Sequence, residues 1–132
     1  MWMRSTTFML FAVALSVLGV AHTAASAFYL YWTYPWLDIP MHALGGAAVA
    51  LGFLTCCTGF VRAPLSRSVP ATLAVVLVAG IVWEVFEVTA RITLPEVGQT
   101  QDMLYDLAMD LVGGGVGYWS ARAVAAFDTK SG

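Results

Sequence analysis

Charge is what this sequence has least of. Only 11% of its 132 residues are Asp, Glu, Lys or Arg, against 60% that are hydrophobic. So few charges cannot cover the surface of a water-soluble domain, and the composition points instead to a protein of the lipid bilayer. A basic surplus is also missing: eight acids and six bases leave a net charge of −2, so no polycationic surface is offered to nucleic acid. The two cysteines, Cys56 and Cys57, are adjacent, which suits neither a disulfide framework nor the spacing of a zinc motif. They read as lipid-facing or packed thiols. No internal repeat is visible, which argues against many carrier folds, and no serine or cysteine sits in a recognisable nucleophile motif.

Long apolar runs fill the space these absences leave. The first, residues 8–31, contains only His22 and small hydroxyl residues as polar content. Its front resembles a secretory signal, with Ala25-Ser26-Ala27 as a cleavage site, but the apolar character continues through Tyr31, so it is expected to remain as a helix. Tyr29 to Trp36 then concentrates aromatic rings around Pro35, the composition of a chain turning through the headgroup layer. Asp38 and Pro40 open a second helix over 39–60; an acid and a proline both suit a first turn. A polar connection with Arg62 and Arg67 leads to a third helix over 70–94, with Ser68 as its cap, and a fourth runs over 101–126. The expected fold is all-α, a four-transmembrane-helix bundle forming one integral membrane domain. Arg4, Arg62, Arg67, Arg122 and Lys130 fall on one side and Arg91 near the other, which places both termini in the cytoplasm. The setting is a bacterial cytoplasmic (inner) membrane, crossed several times.

Small residues repeat at intervals of four at Ala43 and Ala47, Gly46 and Ala50, and Gly113 and Gly117, a spacing that lets helix backbones approach closely. Acids within such spans are costly and need partners. Counting helical rise from the outer ends puts His42 and Asp106 about 6 Å deep, Glu87 about 10 Å, Asp110 about 12 Å and Glu84 about 15 Å. Glu84 and Glu87 share a face of one helix, and Asp102, Asp106 and Asp110 a face of another. The expectation is a two-layered site, Glu87 with His42 and Asp106 in the outer layer and Glu84 with Asp110 in the deeper one. Arg91 stands one turn above Glu87.

Such a set suits a divalent cation (Mg, Mn, Fe or Zn) held by His42, Glu84, Glu87, Asp106 and Asp110. Two other readings stay open: a network of protonated acids bonded to His42, Arg91, Trp83 and Tyr105, and a proton or ion relay. A di-iron carboxylate bundle would carry Glu-x-x-His on two helices, a pattern this chain does not have. His22 stands apart. A transmembrane histidine can ligate a pigment or haem, but the position four before it, small in antenna polypeptides, is Leu18 here; a buried, hydrogen-bonded histidine is the alternative.

Asp38-x-x-x-His42 with Gly45-Gly46, then Trp83-Glu84-x-x-Glu87, then Tyr105-Asp106-x-x-x-Asp110 before a glycine run, resembles in order and spacing the YjdF-like family of small bacterial membrane proteins, and more distantly the VanZ-like family. The resemblance covers roughly residues 37–118 and implies a polar cluster on the extracytoplasmic side. VanZ-like proteins are associated with glycopeptide resistance, and neither family brings an established chemistry. Two functions follow from the residues. The first is a non-catalytic accessory or scaffolding subunit of a larger membrane complex, photosynthetic or respiratory for example, with other membrane subunits and lipid as partners. The second is a metal-dependent hydrolase or transferase acting on a lipid or isoprenoid headgroup.

Overall fold

The computed structural model describes residues 2–60, 68–90 and 99–128. Helix α1 spans Trp2–Ala27, a single-turn α2 spans Leu30–Thr33, and a 3-10 turn over Pro35–Leu37 leads into α3, Asp38–Phe60. Helices α4, Val69–Thr89, and α5, Gln99–Asp128, complete the order, and the described residues contain no strand. The protein is all-α. Among the described residues, three segments are long and apolar enough to cross a membrane: Thr6–Ala27, Pro35–Thr58 and Val69–Thr89. The acids of α5 set it apart from these three, although at 30 residues it is the longest of the described helices. Arg62, Arg67, Arg91, Glu96 and Lys130 lie outside the described residues, as do the connections that hold them.

The first helix ends earlier than its apolar run suggests. Tyr29 adopts a left-handed backbone, φ 54°, which a helix cannot accommodate in its interior. Its carbonyl then accepts from the backbone N–H groups of Trp32 and Thr33, both at 3.2 Å, and so starts the next turn. Pro35 stands at the first position of the 3-10 turn, where a missing N–H costs nothing. The two bends bring Asp38 and its helix back beside α1.

The tightest packing joins α3 to α5, and it depends on residues without side chains. A Cβ on Gly46 would fall on the backbone carbonyl of Asp110, and one on Gly113 on the carbonyl of Ala43. Gly117 is similarly close to Ala47. In lipid no hydrophobic drive pushes helices together, so contact between backbones at this range supplies much of the attraction. One end of the bundle is filled by Leu51, Leu54, Tyr118 and Ala121, with Leu10, Phe11, Ala14 and Val69 around them. Helix α4 begins with Ser68, whose hydroxyl accepts from the Ala71 N–H at 3.2 Å, as a capping serine should. Of the paired cysteines, Cys57 is buried and Cys56 exposed.

Candidate functional site

The opposite end of the bundle is polar, and the register of α4 explains how. Its buried residues are Thr72, Val76, Gly80 and Glu84, four positions at intervals of four. Such a series stays on one helix face, so the stripe that packs α4 inward ends on a carboxylate. Helix α5 contributes a matching stripe. Asp106 and Asp110 are buried and run directly into the buried glycines Gly113, Gly114 and Gly117. Helix α3 adds Asp38 and His42, also four apart and on one face.

His42 is the centre of this arrangement. Its Nε2 lies 3.8 Å from Asp106 Oδ1, 3.9 Å from Asp38 Oδ1 and 4.0 Å from Glu84 Oε1. Its Nδ1 faces Asp110 Oδ1 at 3.3 Å, within hydrogen-bonding range. In the tautomer whose Nδ1–H donates to Asp110 Oδ1, the Nε2 lone pair points at the other three carboxylates. Glycines make room for Asp110: a Cβ at Gly80 would press on its Oδ2, and Gly45 lies alongside its Oδ1. The side chains of His42, Glu84, Asp106 and Asp110 are at most 8% exposed, whereas Asp38 is 42% exposed and forms the mouth.

The three Nε2 distances are too long for hydrogen bonds. Around a tetrahedral ion with bonds of about 2.1 Å, neighbouring donor atoms stand about 3.4 Å apart, and the observed separations exceed this by only about half an ångström. Donor atoms of Asp38, His42 and Asp106 all lie within 4.8 Å of one another, a group of two buried residues and one partly exposed one that could hold a metal ion. Glu84 Oε1 is buried with no hydrogen-bond partner among the described residues. A carboxylate oxygen left this way costs several kcal/mol unless a cation or proton joins it.

The expected two layers are replaced by one. Glu84, not Glu87, stands beside His42 and Asp106, because Glu84 continues the buried stripe of α4 while Glu87, three residues on, is only half-buried. Asp38, read from the sequence as a helix opener, joins the group; its spacing of four from His42 was the available signal. Tyr105 is 69% exposed and turned away from the acids, and Arg91 lies outside the described residues.

His22 sits elsewhere, on the outer face of α1. Its Nδ1 is 2.8 Å from the Tyr31 hydroxyl, and its ring meets Trp83 edge-on at 6.1 Å. Burial, with Asp38 and Glu87 nearby, pushes the Tyr31 hydroxyl up to about 12, so it remains protonated and able to donate to His22. The pair ties α1 to the turn that delivers Asp38.

Beside the acids, a recess of about 350 Å³ opens between α4 and α5, lined by Glu84, Val85, Val88, Thr89 and Met103. No curated protein and no solved structure matches the chain. A family model described as a predicted membrane protein, DUF2238, matches residues 2–126. The chain belongs to that family, in agreement with the resemblance to YjdF-like proteins carried by its helix motifs.

Proposed function

We propose that this is a multi-pass protein of the bacterial cytoplasmic membrane in which α3, α4 and α5 share one divalent cation near the extracytoplasmic surface. His42 Nε2, Asp38, Asp106 and Glu84 are its ligands, Asp110 orients the imidazole, and Glu87 stands one turn outward as a neighbouring carboxylate. The observation that carries this reading is the unpartnered Glu84 Oε1, 4.0 Å from an imidazole nitrogen that two further carboxylates approach. An oxygen-rich set with one imidazole suits Mg, Mn, Fe or Zn.

In this reading α5 is a fourth span. Its Asp106 and Asp110 turn toward α3 and α4, while Asp102 is exposed and Val112, Val116 and Trp119 face outward to lipid. Four spans put both termini on one side, and the positions of Arg4, Arg62, Arg67, Arg122 and Lys130 make that side cytoplasmic. An ion joining three helices is a fixing device, and it fits a non-catalytic accessory or scaffolding subunit of a larger membrane complex. Metal analysis of the purified protein tests the ion. About one divalent ion per chain is expected, with loss in the Glu84→Gln, Asp110→Asn double variant; a metal-free wild type ends the proposal. Stoichiometric partners in mild detergent are expected for the subunit role, and a chain that purifies alone speaks against it.

The recess beside Glu84 favours a second reading, a metal-dependent hydrolase or transferase acting on a lipid or isoprenoid headgroup, with Glu84 or Glu87 as base. Turnover of such lipids that disappears with Glu84→Gln would establish it, and the absence of turnover in metal-loaded protein would remove it.

A further inference from the structure

Asp38 is the most exposed member of the group around His42, and little holds it in place. The segment that delivers it, residues 30–37, is one α-helical turn and one 3-10 turn, and neither contains a buried residue. Its backbone hydrogen bonds are local: the N–H groups of Trp32 and Thr33 donate to Tyr29, that of Tyr34 to Leu30 and that of Leu37 to Tyr34. A single turn of helix is marginal without packing. The left-handed Tyr29 that precedes it is a conformation that lasts only where its surroundings impose it. Among the described residues, one side-chain hydrogen bond joins this segment to a long helix, that between the Tyr31 hydroxyl and His22 Nδ1 of α1, at 2.8 Å.

That bond lies beside the mouth of the acid group. The charges of Asp38 and Glu87 both act on the Tyr31 hydroxyl, and His22 acts on Asp38 in turn. The His22 ring also meets Trp83 edge-on at 6.1 Å, and the Trp83 indole N–H bonds the Glu87 carboxylate. Contacts therefore run from Tyr31 through His22 and Trp83 to Glu87, and they fasten the turn before Asp38 to α1 and α4 together. A partly exposed hydrogen bond of this kind shifts an opening equilibrium about two- to tenfold. Neither His22 nor Tyr31 belongs to the group around His42, so the shift is the same with and without an ion. Loss of the bond then speeds uptake and release by one factor and leaves the affinity as it was.

From this arrangement we propose that the Tyr31–His22 hydrogen bond is a latch: closed, it holds the 30–37 segment and Asp38 against the acid group, and open, it lets that segment swing about Tyr29 and admits water and cations to Glu84, Asp106 and Asp110. Its part in cation exchange rests on the cation reading above; its part in aqueous access does not, and the experiment separates the two.

The test uses the full chain in an uncharged detergent, with Zn²⁺ as the probe. Uptake of Zn²⁺ and its release into excess chromogenic chelator are followed by stopped flow, and affinity by chelator competition. Access is measured on metal-free protein, as the rate at which a water-soluble carbodiimide with glycinamide modifies Glu84, read by peptide mass spectrometry. Tyr31→Phe and His22→Leu are each expected to raise both Zn²⁺ rates and the labelling rate about two- to tenfold, with unchanged Kd. The double variant should be no faster than either, because both changes remove one bond, and Trp32→Phe on the same turn should behave as wild type. Wild-type exchange and labelling in both single variants overturn the proposal. Faster release without faster uptake, and hence a weaker Kd, also overturns it, since the pair then supports ligand geometry and not access. If the wild type binds no Zn²⁺, labelling decides: faster modification of Glu84 in the variants upholds the latch while removing the cation, and unchanged modification removes the latch as well.

Discussion

Replacing Gly113 with alanine adds one methyl group at the point where α5 presses on α3. That methyl would land on the Ala43 carbonyl oxygen, at a separation no real side chain shows. The obstacle is backbone within a helix, so no rotamer change relieves it. Restoring an ordinary contact of about 3.5–4.0 Å requires the helices to part by roughly 2 Å. His42 stands on α3 one residue before Ala43, and Asp106 and Asp110 stand on α5 two turns and one turn before Gly113, so the same displacement passes into the site. The separation of His42 Nε2 and Asp106 Oδ1, now 3.8 Å, would grow toward about 6 Å, far beyond the 3.4 Å or so between donors around one ion. Overpacking of this kind typically costs about 1–3 kcal/mol, and a backbone obstacle belongs at the upper end. Thermal unfolding in detergent should therefore show a clear drop in midpoint, together with loss of bound divalent ion. The companion variant Gly115→Ala has open space around its added methyl and should retain both properties. A Gly113→Ala protein with wild-type midpoint and metal content would refute the idea that glycine contacts set the spacing of the acids.

Other variants probe single contacts. Asp110→Asn keeps the size of the group facing His42 Nδ1 but removes the charge that selects its tautomer; divalent-ion affinity should fall about 10–100-fold in competition with a chelator. Glu87→Gln, outside the group around His42, should alter metal content less than Glu84→Gln does. Ser68→Ala removes the cap of α4 and should lower stability by about 1 kcal/mol, read from denaturation in mixed micelles. Tyr29→Pro forces φ to about −65° where the chain needs 54°, and should lower the unfolding midpoint more than Ser68→Ala does. Tyr31 ionises near 12 when folded and near 10 when unfolded, so the unfolded chain releases the proton first and stability falls as pH rises from about 10 to 12. Ultraviolet titration should show a late phenolate component that Tyr31→Phe abolishes.

The sequence conveyed the membrane setting and the polar end of the bundle because both rest on residue type and helical period. Gly46 and Gly113 carried their role openly: small residues at intervals of four matter only where backbones meet, and here they do. Glu84 and Asp106 were also legible as inward groups. Which of Glu84 and Glu87 would face His42 was not. The two are three apart, within one face of a helix, and the choice depends on the rotation of α4, fixed by Thr72, Val76 and Gly80 against α5. Depth counted from helix ends carries no information about that rotation. The turn at Tyr29 was equally hidden, since a tyrosine with positive φ gives no local signal and the apolar run continues through it.

Exposure within the acid group is graded, and the gradient has a kinetic meaning. Asp38 is 42% exposed, while His42, Glu84, Asp106 and Asp110 are enclosed. A cation bound among them would have one ligand in touch with the aqueous phase and would leave by way of it. Its lifetime would then follow the rate at which the Asp38 side chain swings aside, and Asp38→Asn would shorten that lifetime even where the equilibrium occupancy changed little.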